Sequence, residues 1–379
     1  MKVFSMRAIR IVVTASLICA SLKVANAQTA TARIVKAANA FLSTLDESQR
    51  QKVLFAFDDK KQRANWSNFP VSFVPRGGIS LKEMNPTQHS AAMALVGSAL
   101  SARGFEKVRQ IMEADEVLKA EDHGPPNGSN GNGPPDGGPP PGNGPPSGMA
   151  RNGPRPGGPG GASFGKDLYY ISILGKPSEK DPWMLQFGGH HLALNVTIAG
   201  ERGVLTPTLT GAQPALYTKD GKTVRPLGQE SDKALALLKA LDDAQRKQAI
   251  LSYHLADLVL GPGEDGKTIQ PEGLKASAMN EGQRAMLLDV ISEWADIIHE
   301  SAAAARMAEL KADIADTWFA WSGPVTAEPG KNITAYYRIQ GPHVVIEYAP
   351  QRLGGDPAMH VHTMYRDPTN DYGRRLTEK

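Results

Sequence analysis

The mature part of this chain has no cysteine. Cys19 is the single cysteine among 379 residues, and it lies in a segment expected to be cut away. That excludes disulfides, thiol nucleophiles and thiolate-bound metal from what remains. No apolar run beyond Leu22 reaches the ~20 residues that a membrane-spanning helix needs, so no span is expected after it. No G-x-S-x-G turn and no G-x-x-x-x-G-K-[ST] loop occurs, which sets aside the nucleophile elbow and P-loop chemistry. His299-Glu300 begins a zincin-like pattern, but Ala303 stands where the second histidine would be. His299 is therefore expected to be exposed or at a helix end.

An excess of charge is also missing. The chain carries 42 basic and 39 acidic residues; without Lys2, Arg7, Arg10 and Lys23 it has 38 basic against 39 acidic. A near-neutral mature chain gives no electrostatic case for nucleic acid or an anionic membrane surface.

The first segment reads as a secretory signal. Lys2, Arg7 and Arg10 form a positive start, Ile11 to Leu22 an apolar run, and Ala25-Asn26-Ala27 a small-x-small cleavage site. Residues 1–27 are thus expected to be removed, and the chain from Gln28 to work in the periplasm or outside the cell. Bulky Ile18 before Cys19 argues against a lipid anchor there.

Glycine and proline are concentrated in one place. Of the 38 residues from Gly124 to Gly161, 26 are Gly or Pro. Gly does not recur at every third position, so the segment is not collagen-like, and an extended, disordered insertion is expected at 124–161.

Around the insertion a short pattern occurs four times, as Leu45-Asp46-Glu47-Ser48-Gln49-Arg50, Met84-Asn85-Pro86-Thr87-Gln88-His89, Leu241-Asp242-Asp243-Ala244-Gln245-Arg246 and Met279-Asn280-Glu281-Gly282-Gln283-Arg284. In each, Asp or Asn is a natural N-cap and Gln three residues on completes a capping box. Apolar residues follow at helical spacing, among them Val53, Leu54 and Phe57, then Leu287, Ile291 and Trp294. The first two glutamines are 39 residues apart and the last two 38, which suggests a helical pair present twice.

The repeat extends into strands. Gln186 to Asn195 lines up with Arg338 to Glu347, each reading as a β-hairpin around a glycine turn. The separations Gln88–His191 and Gln283–His343, 103 and 60 residues, differ by nearly the length of the insertion. The expected fold is α+β: two duplicated units, each a helical pair followed by a small antiparallel sheet, related by a pseudo-two-fold. Residues 28–123 and 162–228 would form the first copy, and 229–379 the second.

Five of nine histidines gather in this region: His190, His191, His343, His360 and His362. Strand alternation puts His360 and His362 on one face, close enough to share a metal ion. His343 shares a strand face with Glu347, and His191 with Asn195. Under the pseudo-two-fold, His191 and His343 would be mates near the axis. Three or four imidazoles with one carboxylate suit zinc or copper. An H-x-H pair is equally at home on an exposed, metal-free strand.

In the first copy Thr206 and Thr208 align with His360 and His362, so the second copy carries something the first lacks. Beside them Tyr365, Arg366, Asp367, Asn370 and Asp371 form a dense polar cluster. Turn chemistry alone accounts for such a cluster. In a pocket, Arg366 would take an anionic group, while Asp367 or Asp371 would serve as a base or as a partner to a ligating histidine.

The ending His360-Val361-His362-Thr363-Met364-Tyr365-Arg366-Asp367-Pro368-Thr369-Asn370-Asp371-Tyr372-Gly373 resembles that of the domain-of-unknown-function 3500 (DUF3500) family. Gly188-Gly189-His190-His191 and Thr206-Pro207-Thr208 resemble it too. The resemblance runs from about Ala32 to Gly373 and departs at the Gly/Pro insertion. It implies homologous architecture and points to the same histidines; it implies no reaction. The leading expectation is an exported zinc- or copper-binding protein acting on a small molecule, as a hydrolase or an oxidoreductase. The alternatives are a metal-free protein that binds a small anion through Arg366, and a structural surface protein.

Overall fold

The computed structural model describes residues 28–122, 163–352 and 355–377. The expected signal peptide at 1–27, with Cys19, and the Gly/Pro insertion at 124–161 lie outside the described residues. Among those described there are ten α-helices: α1 Ala30–Thr44, α2 Glu47–Val53, α3 Lys60–Arg63, α4 Pro86–Ala99, α5 Ala102–Asp122, α6 Gly228–Ala240, α7 Asp243–Ala249, α8 Glu281–Ala295, α9 Glu300–Ala312 and α10 Arg374–Thr377. The strands are β1 Leu54–Phe55, β2 Ile79–Ser80, β3 Tyr170–Leu174, β4 Trp183–Gly189, β5 Leu192–Ala199, β6 Arg202–Val204, β7 Thr208–Ala212, β8 Tyr217–Lys219, β9 Lys222–Val224, β10 Leu274–Lys275, β11 Trp318–Ser322, β12 Tyr336–Gly341, β13 Val344–Pro350 and β14 Val361–Arg366.

Two small sheets, one per unit, were expected; one large mixed sheet is found, with β8 and β9 pairing apart as a hairpin. The 12 strands of the large sheet run β1-β3-β4-β5-β7-β14-β13-β12-β11-β10, with β2 on β3 and β6 on β5. The join is the antiparallel β7–β14 ladder, where Thr210 faces Thr363. Only β1 on β3 is a parallel pair between named strands. No described helix is long and apolar enough to cross a membrane.

The four capping boxes form at Asp46, Asn85, Asp242 and Asn280. Their glutamines also pair with one another. Gln88 Nε2 donates to Gln49 Oε1 at 2.7 Å, and Gln283 Nε2 to Gln245 Oε1 at 2.8 Å. The boxes at Asp46 and Asp242 open helices of only seven residues. Leu54 then leaves the helix to pair with Ile173 at the sheet edge, and its side chain is exposed, not packed on a helix face as expected.

Strand alternation gives the sheet two unlike faces. Ile171, Phe187, Leu194, Tyr337, Ile346 and Tyr365 join the large core beneath the helices. The residues between them are mostly polar: Ser172, Gln186, Asn195, Arg338, Glu347, His362 and Arg366, all buried. This polar face lies under two stretches, 56–78, irregular but for the single turn of α3, and the irregular 251–273, which supply hydrogen-bond partners to it.

Candidate metal centre

His191, His360 and His362 converge on the polar face. Their Nε2 atoms form a near-equilateral triangle: His191–His360 3.0 Å, His191–His362 3.1 Å and His360–His362 3.0 Å. All three are buried. Local geometry explains how they meet. Extended backbone at His360 continues into β14, so residues two apart share a face. His191 comes from the β4–β5 turn, where it takes φ 61°, a left-handed conformation uncommon for a residue with a side chain. Its carbonyl accepts from Gly211 N at 2.7 Å, and Gly211 stands opposite His362 in the ladder.

Hydrogen bonding cannot satisfy such a triangle. Each in-plane nitrogen offers either a proton or a lone pair. With three nitrogens, at least two are alike, so one contact always sets donor against donor or acceptor against acceptor. A cation removes the conflict, because all three can present lone pairs to it. The size also fits. A point about 2.0–2.1 Å from all three nitrogens, the usual Zn–N distance, lies about 1 Å from their plane. Burial above all, then His190, His360 and His362, holds the His191 imidazolium well below its ordinary pKa, which keeps a neutral ligand available.

Two carboxylates flank the triangle. Asp257 Oδ1 lies 3.7 Å from His362 Nδ1, and Asn68 Nδ2 lies 3.3 Å from that atom. Asp257 is held in turn by Gln351 Nε2 at 2.8 Å, and Gln351 N donates to the His360 carbonyl at 2.7 Å. Burial pushes the Asp257 carboxyl up, but the nearby His362 ring and the Leu258 N–H and Gln351 donors outweigh it and leave it below its usual range. On the other side, Asp115 of α5 contacts His190 Nδ1 at 2.8 Å and accepts from Tyr169 Oη at 2.9 Å. Asp115 is buried, and burial raises its carboxyl pKa. The His190 and His191 rings lie against each other, centroids 3.6 Å apart. Both buried groups, His191-His360-His362 and Asp115-His190-His191, could hold a metal ion.

Other expected residues are elsewhere. His343 does not meet His191. Its Nδ1 contacts Thr369 Oγ1 at 3.0 Å, and its Nε2 lies 3.7 Å from Asp313. The ladder gives the reason. Val345 pairs with Arg366 and Pro350 with Val361, so the β12–β13 turn lies at the far end of β14 from the two histidines, ~17 Å for five residues' rise. Glu347 is no ligand to the triangle either. It accepts from Val259 N at 2.7 Å, Leu260 N at 2.8 Å and Tyr336 Oη at 2.6 Å, tying down the 251–273 stretch. Asn195 is locked between Gln186 and the Pro207 carbonyl.

Arg366 is not free to take an anion. It donates to Leu260 O, Gly261 O, Asp265 and Asp371, and its guanidinium lies 5.5 Å from the Trp66 ring centroid. Asp371 receives it, while Asp367, Tyr365 and Asn370 lie toward α9 and bind Arg306 and Arg375. The alignment of Thr206 and Thr208 with the histidines is out of step by face. Thr208 pairs with Tyr365 on the helix side, whereas His362 pairs with Gly211 on the polar side; a one-residue slip changes face. His299 is at a helix end, before α9, but buried.

Sequence reasoning missed Asn68, Asp257, Gln351, Asp115 and Gly211. The first three sit in irregular backbone, where no periodicity signals a partner. A family model described as a protein of unknown function, DUF3500, matches residues 27–374. The chain belongs to this family. The match spans the three converging histidines, Asp115 and Asp257 alike. No curated protein and no solved structure matches the chain significantly.

Proposed function

We propose that this protein binds one transition-metal ion, zinc or copper, through His191, His360 and His362, and that it acts outside the cytoplasm once residues 1–27 are removed. The observation that carries the metal reading is the triangle of Nε2 atoms 3.0–3.1 Å apart, which hydrogen bonding cannot satisfy. Three protein ligands leave coordination positions open, the pattern of catalytic rather than structural sites. A metal held this way supplies Lewis acidity or one-electron chemistry to a small molecule. The export reading is supported by the charged start, the apolar run and the Ala25-Asn26-Ala27 site.

The test is metal content of the chain from Gln28, purified without a histidine tag. About one equivalent of zinc or copper is expected, lost in a His360→Ala, His362→Ala double variant that keeps its circular dichroism. Wild type that takes up neither metal on titration overturns the reading. For export, a periplasmic or medium fraction beginning at Gln28 is expected; a chain retained whole in the cytoplasm overturns it.

We infer further that the halves of the sheet descend from one duplicated unit. Supporting this, β3-β4-β5-β7 and β11-β12-β13-β14 meet in mirror order, and the Gln49–Gln88 pair recurs as Gln245–Gln283. Thr210 and Thr363, hydroxyls 2.7 Å apart, fall at the centre. A crystal structure whose two halves fail to superpose with Thr210 on Thr363 would overturn it.

A further inference from the structure

His191 is held differently from His362. A metal-bound imidazole is commonly oriented by a hydrogen bond at its other ring nitrogen. At His362 that nitrogen, Nδ1, has Asn68 Nδ2 at 3.3 Å and Asp257 Oδ1 at 3.7 Å. His191 Nδ1 is buried and has no hydrogen-bond partner. The backbone does not favour its position either. Gly189 pairs with Leu192, so His190 and His191 are the two residues of a tight hairpin turn. His191 there takes φ 61°, a conformation that glycine adopts without cost. A residue with a side chain keeps it only where its surroundings hold it.

The neighbouring ring provides that hold. The His190 and His191 rings have centroids 3.6 Å apart and planes inclined by 33°. His190 is fixed in turn, its Nδ1 contacting Asp115 Oδ1 at 2.8 Å. Tyr169 Oη lies 2.9 Å from Asp115 Oδ2 and 2.8 Å from the His190 carbonyl, so its hydroxyl ties the carboxylate to the turn. All four residues are buried. Asp115 belongs to α5, so the contacts run from the helical layer through His190 to the triangle.

We propose that Asp115 and His190 are positioning residues for the metal centre. Asp115 fixes the His190 ring, and the stacked His190 ring fixes the angle at which His191 presents Nε2 to the ion. The effect on metal binding rests on the metal reading above; the stack itself does not. A role follows for two buried residues that the triangle leaves unused.

The test uses the chain from Gln28 with its histidine rings isotopically labelled, and zinc and copper(II) as probes in turn. In the metal-free protein, NMR should give His191, assigned through His191→Ala, one sharp set of ring signals. In His190→Ala those signals should broaden or split, and affinity for the bound metal should fall about 10- to 100-fold. His190→Phe keeps a flat ring against His191. It should restore the sharp signals and bring affinity back to within about threefold of wild type. Asp115→Leu frees the His190 ring without leaving a buried charge, and should weaken the metal about tenfold. Circular dichroism checks that each variant folds. Sharp His191 signals with wild-type affinity in His190→Ala overturn the proposal, and so does a His190→Phe variant as weak as His190→Ala. A second equivalent of metal in wild type, lost in Asp115→Leu, makes Asp115 and His190 ligands and overturns it too. Wild type that takes up neither metal, yet shows His191 signals that depend on His190, supports the stack and sinks the metal reading alone.

Discussion

Gly211 stands directly across the β7–β14 ladder from His362, and its missing side chain leaves the room that His191 occupies. A Cβ there would come within 2.8 Å of the Val361 carbonyl oxygen and 3.2 Å of His191 Cδ2. The carbonyl is backbone between the two strand histidines and cannot swing aside. Gly211→Ala should therefore displace His191 from the other two rings. A loss of metal affinity of about tenfold, with about 1–3 kcal/mol of destabilisation from overpacking, is expected. Competition against a chromogenic chelator measures the first and urea unfolding the second. Wild-type affinity in the variant would show that Gly211 is not what admits His191.

Asp257 orients His362 from behind, as carboxylates commonly do for metal-bound imidazoles. Asp257→Asn should weaken metal binding about 10- to 100-fold. The side chain is about one-third exposed, so the melting temperature should move little. Metal affinity unchanged in this variant would leave Asp257 as a loop tether only.

Asp371 supplies a pH signature. Burial is the largest influence on its carboxyl and lifts it from 3.8 to about 6, against the opposing pull of Arg366 and the Asp367 N–H. A raised folded-state pKa means the folded chain holds the proton more tightly than the unfolded one. Its contribution to stability is then fully present below about pH 4 and is lost as pH rises through 6. Relative to Asp371→Asn, wild type should lose roughly 2 kcal/mol between pH 4 and pH 7. Paired denaturant titrations at the two pH values measure it, and a difference that does not change with pH refutes it.

Lys107 is buried between Glu230, which it contacts directly, and Glu293, whose carboxylate is 3.6 Å away. Lys107→Met would leave two carboxylates buried without that cation. A loss of about 3–5 kcal/mol is expected, with metal stoichiometry unchanged because the cluster belongs to the helical layer. Unfolding curves and metal analysis on the same preparation test both parts.

The local features of the fold were legible where one stretch of chain carries its own explanation. Asp46, Asn85, Asp242 and Asn280 each cap a helix because the glutamine three residues on completes the box, and no distant contact is needed. His360 and His362 share a face because extended backbone alternates. The length of α2 was not legible. Leu54 and Phe57 continue an apolar helical spacing, yet the chain turns at Leu54 to meet Ile173, more than a hundred residues away. The failure of His343 and Glu347 to join the site has the same origin. Their hairpin is as readable as the one carrying His191, but the antiparallel register of β13 on β14 sends it to the other end of the strand.

By itself the sequence determined the helix starts, the hairpins and the one strand that presents two imidazoles together. Each follows from interactions within a few residues. Which third histidine completes the triangle, which carboxylates stand behind it and which face of β14 turns toward the helices were decided only by tertiary structure. Those depend on strand order and register, set by burying the helix-facing side chains of the whole sheet at once.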